Sequence, residues 1–256
     1  MNKYFLHLAY QGTRYQGWQR QANGLGIQEV VENNLSKMFG ERIIVHGCGR
    51  TDAGVHASQY FCHTTIEKMW DFDAVFRINK MLPEDIRIYN FTPVPPKANA
   101  QLDVQSRTYE YRIHYYPNPF LSPLSTYYPI PIEGISKMEK AMKCLPNYRN
   151  FRSFCKQPDI HNHTFCNLSE AILTWDPSKR QLVIRLTANR FLKSMVRLIV
   201  GDLVSIGMGT QTMEDFKEKL GRARLSDRPI FAYPQGLYLA KVNYQKERIP
   251  TAIYEY

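Results

Sequence analysis

The chain has 256 residues, 44% of them hydrophobic and 22% charged, enough for one large domain or two small ones. That balance excludes disordered, collagen-like and low-complexity chains, and no apolar stretch approaches the ~20 residues a membrane-spanning helix needs. A net charge of +10 together with 33 aromatic residues fits either a polyanionic partner whose bases are stacked upon, or a basic protein with no such partner.

Met1-Asn2-Lys3-Tyr4-Phe5-Leu6-His7-Leu8 breaks its apolar run with a histidine and lacks a small-residue cleavage site, so a cytoplasmic protein is expected. Residues 3–10 alternate as a strand, and 27–39 carry Ile27, Val30, Val31, Leu35 and Met38 at helical spacing. Strands are expected at 42–48, 59–66 and 86–92, with a helix over 71–81 that Pro83 ends. The order is β-α-β-β-α-β, a split βαβ pattern that predicts a four-stranded antiparallel sheet with helices on one face. Pro93-Val94-Pro95-Pro96 leads to a domain boundary, giving expected domains at 1–104 and 105–256. Beyond it, 107–116, 166–175, 182–188 and 236–244 read as strands, and 135–144 and 191–206 as helices. Charge divides unevenly: residues 1–103 hold 11 basic and 10 acidic side chains, whereas the remainder holds 22 and 13.

The five cysteines (Cys48, Cys62, Cys144, Cys155, Cys166) include no Cys-x-x-Cys pair and are expected to be reduced packing residues. His161, His163 and Cys166 lack an evident fourth ligand, so that segment reads as a polar loop and no metal is expected. Asp71-Phe72-Asp73 opens a predicted helix, where acidic residues favour the dipole.

The densest polar knot is Gly47-Cys48-Gly49-Arg50-Thr51-Asp52-Ala53-Gly54-Val55-His56-Ala57, whose glycines let backbone approach a ligand. Asp52 either caps its own turn as an Asx residue or serves as a nucleophile or base. Arg190, Lys193 and Arg197 are spaced to share one helix face. Arg190 and Lys193 can be a solvated stripe. Arg197, among Met195, Val196, Leu198 and Ile199, needs an anionic partner, which Asp52 could supply. In Arg107-Thr108-Tyr109-Glu110-Tyr111-Arg112 the two tyrosines share a strand face, and Tyr109 could stack on a base or use its hydroxyl. The run from Tyr10 to Gln21 interleaves Arg14 and Arg20 with aromatics and amides, suited to RNA backbone contacts or to a plain capping turn.

Taken in order, Tyr10-Gln11-Gly12-Thr13, Gly17-Trp18-Gln19, Gly49-Arg50-Thr51-Asp52-Ala53-Gly54-Val55-His56-Ala57, Leu82-Pro83, Arg107-Thr108-Tyr109-Glu110-Tyr111, Phe191-Leu192, Met195-Val196-Arg197 and Gly236-Leu237-Tyr238 make the chain resemble the TruA-type tRNA pseudouridine synthases. The resemblance implies an α+β fold of two RRM-like or ferredoxin-like halves, their antiparallel sheets joined around a central basic cleft. It implies a homodimer that receives the anticodon stem-loop of tRNA and isomerises uridine to pseudouridine with no metal or organic cofactor. By the same resemblance Asp52 is the catalytic carboxylate, Tyr109 stacks on the uracil and handles the C5 proton, and Arg197 pairs with Asp52. Arg50 holds the flipped nucleotide, Phe191 and Leu192 shape the pocket wall, and Arg14, Gln19, Arg107, Arg190 and Lys193 contact RNA. Ala98-Asn99-Ala100-Gln101-Leu102 departs from the family's Phe-His-Ala-Arg-Phe, and Arg149-Asn150-Phe151 stands where His-Asp-Phe is frequent. Those departures leave open a paralogue acting on another tRNA position or RNA; a non-catalytic RNA-binding protein on the same fold is the other class considered.

Overall fold

The computed structural model describes residues 2–222, 229–245 and 249–254. It is a mixed α+β protein with mostly antiparallel strands and, among the described residues, five α-helices. It divides into two compact units, Met1–Gln105 with Tyr238–Tyr256, and Ser106–Leu237.

In the first unit, β1 (Asn2–Tyr10) is flanked antiparallel by β4 (Ile86–Pro93) and β3 (His56–Ile66), with Leu6 facing Phe91 on one side and Cys62 on the other. A strand paired on both edges buries Phe5, Leu6 and Leu8. Helix α1 (Ile27–Phe39) occupies the expected span and turns Ile27, Val31 and Leu35 to the core. Helix α2 begins at Ala74 rather than 71 (Ala74–Met81), because the Asp73 carboxylate accepts the Phe76 amide and caps it. Ala74 and Ile78 are buried, while Phe76 is 63% exposed.

The strand expected over 42–48 shrinks to β2 (His46–Gly47). Side chains of α1 take the backbone groups that a ladder would have used. The Val45 amide donates to the Glu32 carboxylate, Gln28 donates to the Val45 carbonyl, and Ser36 accepts the Ile43 amide.

The last strand, β9 (Leu237–Tyr244), runs parallel to β3 through His56–Tyr238 and Ala57–Leu239. The Val242 amide donates to Gln59, and the Tyr244 hydroxyl donates to the Ala100 carbonyl 2.7 Å away. These bonds place the C-terminal strand in the first unit, so the units are not the two consecutive segments 1–104 and 105–256. β2 pairs with β3 at His63 and Cys62, and β9 takes over at Ala57 and His56. The loop 48–55 leaves the sheet between those two partners.

In the second unit, β5 (Val104–His114), β8 (Gln181–Ala188) and β7 (Leu168–Asp176) pair antiparallel in that order, with the two-residue β6 (Thr126–Tyr127) parallel to β5. Thr108, Glu110 and Arg112 share one face of β5, where Glu110 pairs with Arg185 at 2.8 Å. Tyr109 and Tyr111 share the other, and Tyr111 is fully buried. Helices α3 (Ile132–Met142) and α4 (Met195–Gly207) pack against each other. Helix α5 (Met213–Arg222) was not expected, although Thr212 and Asp215 exchange hydrogen bonds in a capping box at its start. Among the described residues, no helix is long and apolar enough to cross a membrane.

Candidate functional site

Asp52 opens a β-turn whose backbone is closed by the Val55 amide donating to the Asp52 carbonyl at 3.2 Å. The third turn residue, Gly54, has φ +74°, a conformation that glycine adopts without strain. An Asx turn would use the Gly54 amide, but this group donates to the Tyr15 carbonyl instead. The turn is thus closed through its backbone, and Asp52 itself is half-buried.

The segment after β1 props this loop from beneath. The Trp18 amide donates to the Thr51 carbonyl, the Tyr10 hydroxyl bonds the Thr51 hydroxyl at 2.9 Å, and the Gly12 amide donates to His56 Nδ1 at 3.1 Å. His56 Nδ1 thus acts as an acceptor, and its ring stacks on Tyr238 with centroids 4.6 Å apart. Arg14 and Tyr15 both reach Asp85, each with a contact at 2.7 Å. Burial and the Asp85 bond push the Tyr15 phenol well up, so it stays a donor. Arg14 is correspondingly matched by Asp85, and exposed Gln19 donates to Gln28 at 2.8 Å. Both side chains, expected from sequence to contact RNA, have these partners inside the unit. Arg50 is exposed at the top of the loop. In the sequence Tyr10 and Trp18 carry only a motif; their work as supports of the Asp52 loop is not legible there, because it needs a residue far along the chain, Thr51.

In the second unit, Tyr109 is half-buried, opposite Leu186, and the Phe191 ring meets it edge-on with centroids 4.9 Å apart and planes at 81°. Leu192 is buried beside Phe191 in the chain, and Arg107 lies opposite Ala188. The expected helix over 191–206 begins only at Met195. Ser194 has φ +58°, outside the right-handed helical region, and the Met195 amide turns back to the Leu192 carbonyl. Arg190 and Lys193 consequently do not share a helix face with Arg197. Arg190 lies against the His163 ring, 3.3 Å from Nε2, and Lys193 donates to Gln157 at 2.7 Å.

Arg197 is the one residue of α4 that is not buried; it is half-buried. Its Nε donates to the Ala232 carbonyl at 2.7 Å, the Ala232 amide returns a bond to the Arg197 carbonyl, and Phe231 lies 5.7 Å from the guanidinium carbon. Buried Tyr111 ties down the same strap through the Tyr233 carbonyl. Sequence reasoning missed Phe231, Ala232 and Tyr233, since a backbone carbonyl leaves no signature.

Both motif departures have internal work. Asn99 accepts the Gln101 and Leu102 amides, while Leu102 is 79% exposed. Asn150 accepts from the Thr164 hydroxyl and the Arg152 amide. Among the described residues, no three His, Cys, Asp or Glu side chains gather as a metal set.

A family model described as tRNA pseudouridine synthase matches residues 148–245. A tRNA pseudouridine synthase A of Porphyromonas gingivalis is 38% identical over 255 residues, spanning 96% of this chain and 99% of its own. Proteins of the same name from Bacteroides fragilis and Parabacteroides distasonis are 35% and 34% identical, covering 96% and 98% of this chain and 98% and 99% of theirs. With end-to-end identity at this level, the chain belongs to the tRNA pseudouridine synthase A family.

Proposed function

We propose that this protein is an isomerase that converts uridine to pseudouridine in tRNA, with Asp52 as the catalytic carboxylate. The observation that carries the reading is the 38% identity to a tRNA pseudouridine synthase A across 96% of the chain. The geometry of the Asp52 turn supports it, because the turn closes through backbone and carries a half-buried carboxylate.

The reaction breaks the C1′–N1 bond, turns the uracil while it is held, and forms a C1′–C5 bond. N1 gains a proton, and C5 releases one to water. Asp52 attacks the flipped nucleotide and stabilises the detached state. Tyr109, braced by Phe191, stacks on the uracil and handles the C5 proton. Arg197, a guanidinium anchored at Nε on the Ala232 carbonyl, pairs with Asp52. Arg50 holds the flipped conformation, and Arg107, Arg190 and Lys193 contact phosphates.

Two finer statements belong to the same proposal. The first unit has the strand order β4-β1-β3-β2 with α1 and α2 between, which suits an RRM-like half. A homodimer acting in the cytoplasm on the anticodon stem-loop follows from the family resemblance.

The test uses tRNA transcripts labelled with tritium at uridine C5. Wild type is expected to release the label and Asp52→Ala to release none while still binding RNA. Substantial turnover by Asp52→Ala would sink the assignment of the carboxylate; no release by wild type from any transcript would favour a binding-only protein.

A further inference from the structure

Tyr60 lies in β3, eight residues beyond Asp52, and is fully buried. A buried phenol needs a hydrogen-bond partner, and Tyr60 finds it in the Gly49 carbonyl, at the start of the Asp52 loop. Trp18 stacks on the Tyr60 ring with centroids 4.1 Å apart, and Tyr10 leans on it at 5.5 Å. The three rings form a floor beneath the loop. The chain enters over that floor in direct contact: a Cβ added at Gly47 would fall 2.1 Å from the Tyr60 hydroxyl and 2.5 Å from Trp18 Nε1.

Two hydroxyls of this floor hold the residues on either side of exposed Arg50. Tyr60 holds the Gly49 carbonyl, and Tyr10 holds the Thr51 side chain, whose carbonyl also accepts the Trp18 amide. Residues 49 and 51 are therefore held by Tyr60, Tyr10 and Trp18. Both side chains proposed for the chemistry are presented from that fixed backbone. Burial pushes the Tyr60 phenol well above its ordinary range, so its proton stays available to the carbonyl at any working pH.

We propose that Tyr60 is a positioning residue for the isomerisation: its hydrogen bond to the Gly49 carbonyl sets the direction in which Asp52 is presented, and turnover rather than RNA affinity depends on it. The proposal rests on Asp52 as the catalytic carboxylate. A misplacement of about 1 Å at a reacting group can cost on the order of 100-fold in rate, so one missing anchor is enough to be read kinetically.

The experiment compares Tyr60→Phe, Tyr10→Phe, Asp52→Ala and Tyr254→Phe in the full-length protein by tritium release and thermal unfolding. Tyr254 is the control for general destabilisation, because its hydroxyl also donates to a backbone carbonyl of the first unit, that of Val242, away from the loop. Tyr60→Phe is expected to lower kcat roughly 10-fold or more, with KM for tRNA within about 2-fold of wild type. Tyr254→Phe is expected to lower Tm while holding kcat. Wild-type kcat in Tyr60→Phe, or equal losses in Tyr60→Phe and Tyr254→Phe, would overturn the positioning role. Should Tyr60→Phe fail to fold, Tyr10→Phe reads the same backbone from Thr51, and an unchanged kcat there would overturn it. An active Asp52→Ala would instead remove the assignment of Asp52 itself, a separate failure.

Discussion

The Nε of Arg197 donates to the carbonyl of Ala232 across 2.7 Å, and the Ala232 amide bonds back to the carbonyl of Arg197. This reciprocal clip joins the third residue of α4 to the strap before β9. It fixes the Nε edge of a planar group. Lysine has no counterpart to Nε and presents its charge as a mobile point. Arg197→Lys should therefore fold normally and bind RNA, yet lose roughly two orders of magnitude in kcat, as is typical when an oriented charge is lost from a reacting centre. Tritium release at saturating RNA reads this, and near-normal turnover in the lysine variant would show that charge alone suffices.

Two buried histidines set an acid limit on stability. Burial lowers His7 and His63 from 6.5 to about 4 in the folded protein. His7 stacks on Phe61, and His63 accepts the Ala100 amide through Nδ1. Between pH 6.5 and 4 the unfolded chain binds protons that the folded one refuses, so stability rises with pH across that window and falls as pH drops through it. Each histidine contributes a slope of about 1.4 kcal/mol per pH unit. Denaturant unfolding at pH 7.5, 6 and 5 should show the decline, and His7→Phe should flatten it. An unchanged pH dependence in that variant would place the acid sensitivity elsewhere.

Elements whose pattern is local were legible in the sequence, and those decided by distant partners were not. Helix α1 shows its apolar face at one spacing over thirteen residues, and its span was read without error. The strand over 42–48 has suitable residues, but Gln28, Glu32 and Ser36 on α1 take its backbone groups, which no property of 42–48 reveals. The helix before Arg197 was drawn too long because spacing is blind to the left-handed Ser194. For the site, the glycine-rich string around Asp52 announced itself by composition. Its aromatic floor did not, since Tyr10, Trp18 and Tyr60 look like ordinary core residues until folding places them under Gly49 and Thr51.

The second unit contains a buried ion pair that should govern its stability without touching the chemistry. Lys219 on α5 reaches both carboxylate oxygens of Asp202 on α4, at 2.9 and 2.8 Å, and Asp202 is 2% exposed. Burial pushes the Asp202 carboxyl up, and the attraction of Lys219 works against this. Lys219→Met would leave that carboxylate buried and unmatched, at a cost of about 3 kcal/mol. The double variant Lys219→Met/Asp202→Leu should recover most of the loss, because it removes both charges together. Calorimetry checks this, and equal destabilisation in the single and double variants would mean that packing rather than charge holds α5 to α4.

Cations near the proposed RNA site should divide by what they already hold. Arg14 is committed to Asp85, with contacts from both Nε and a terminal nitrogen at 2.7 Å. Among the described residues, Arg190 and Lys193 have the His163 ring and the Gln157 amide as partners rather than a carboxylate. A phosphate competes easily with a neutral acceptor for a cation, but poorly with a carboxylate that already forms two charge-assisted bonds. Arg190→Ala and Lys193→Ala should each weaken tRNA binding and reduce the salt slope by about 1, the signature of one lost phosphate contact. Arg14→Ala should leave the slope unchanged and lower Tm instead, since it removes one of the two side chains, with Tyr15, that tie Asp85 to the segment supporting the Asp52 loop. Filter binding across a salt series with all three variants is decisive: a reduced slope in Arg14→Ala, with none in the other two, would reverse the assignment and make the Asp85 pair one that RNA breaks open.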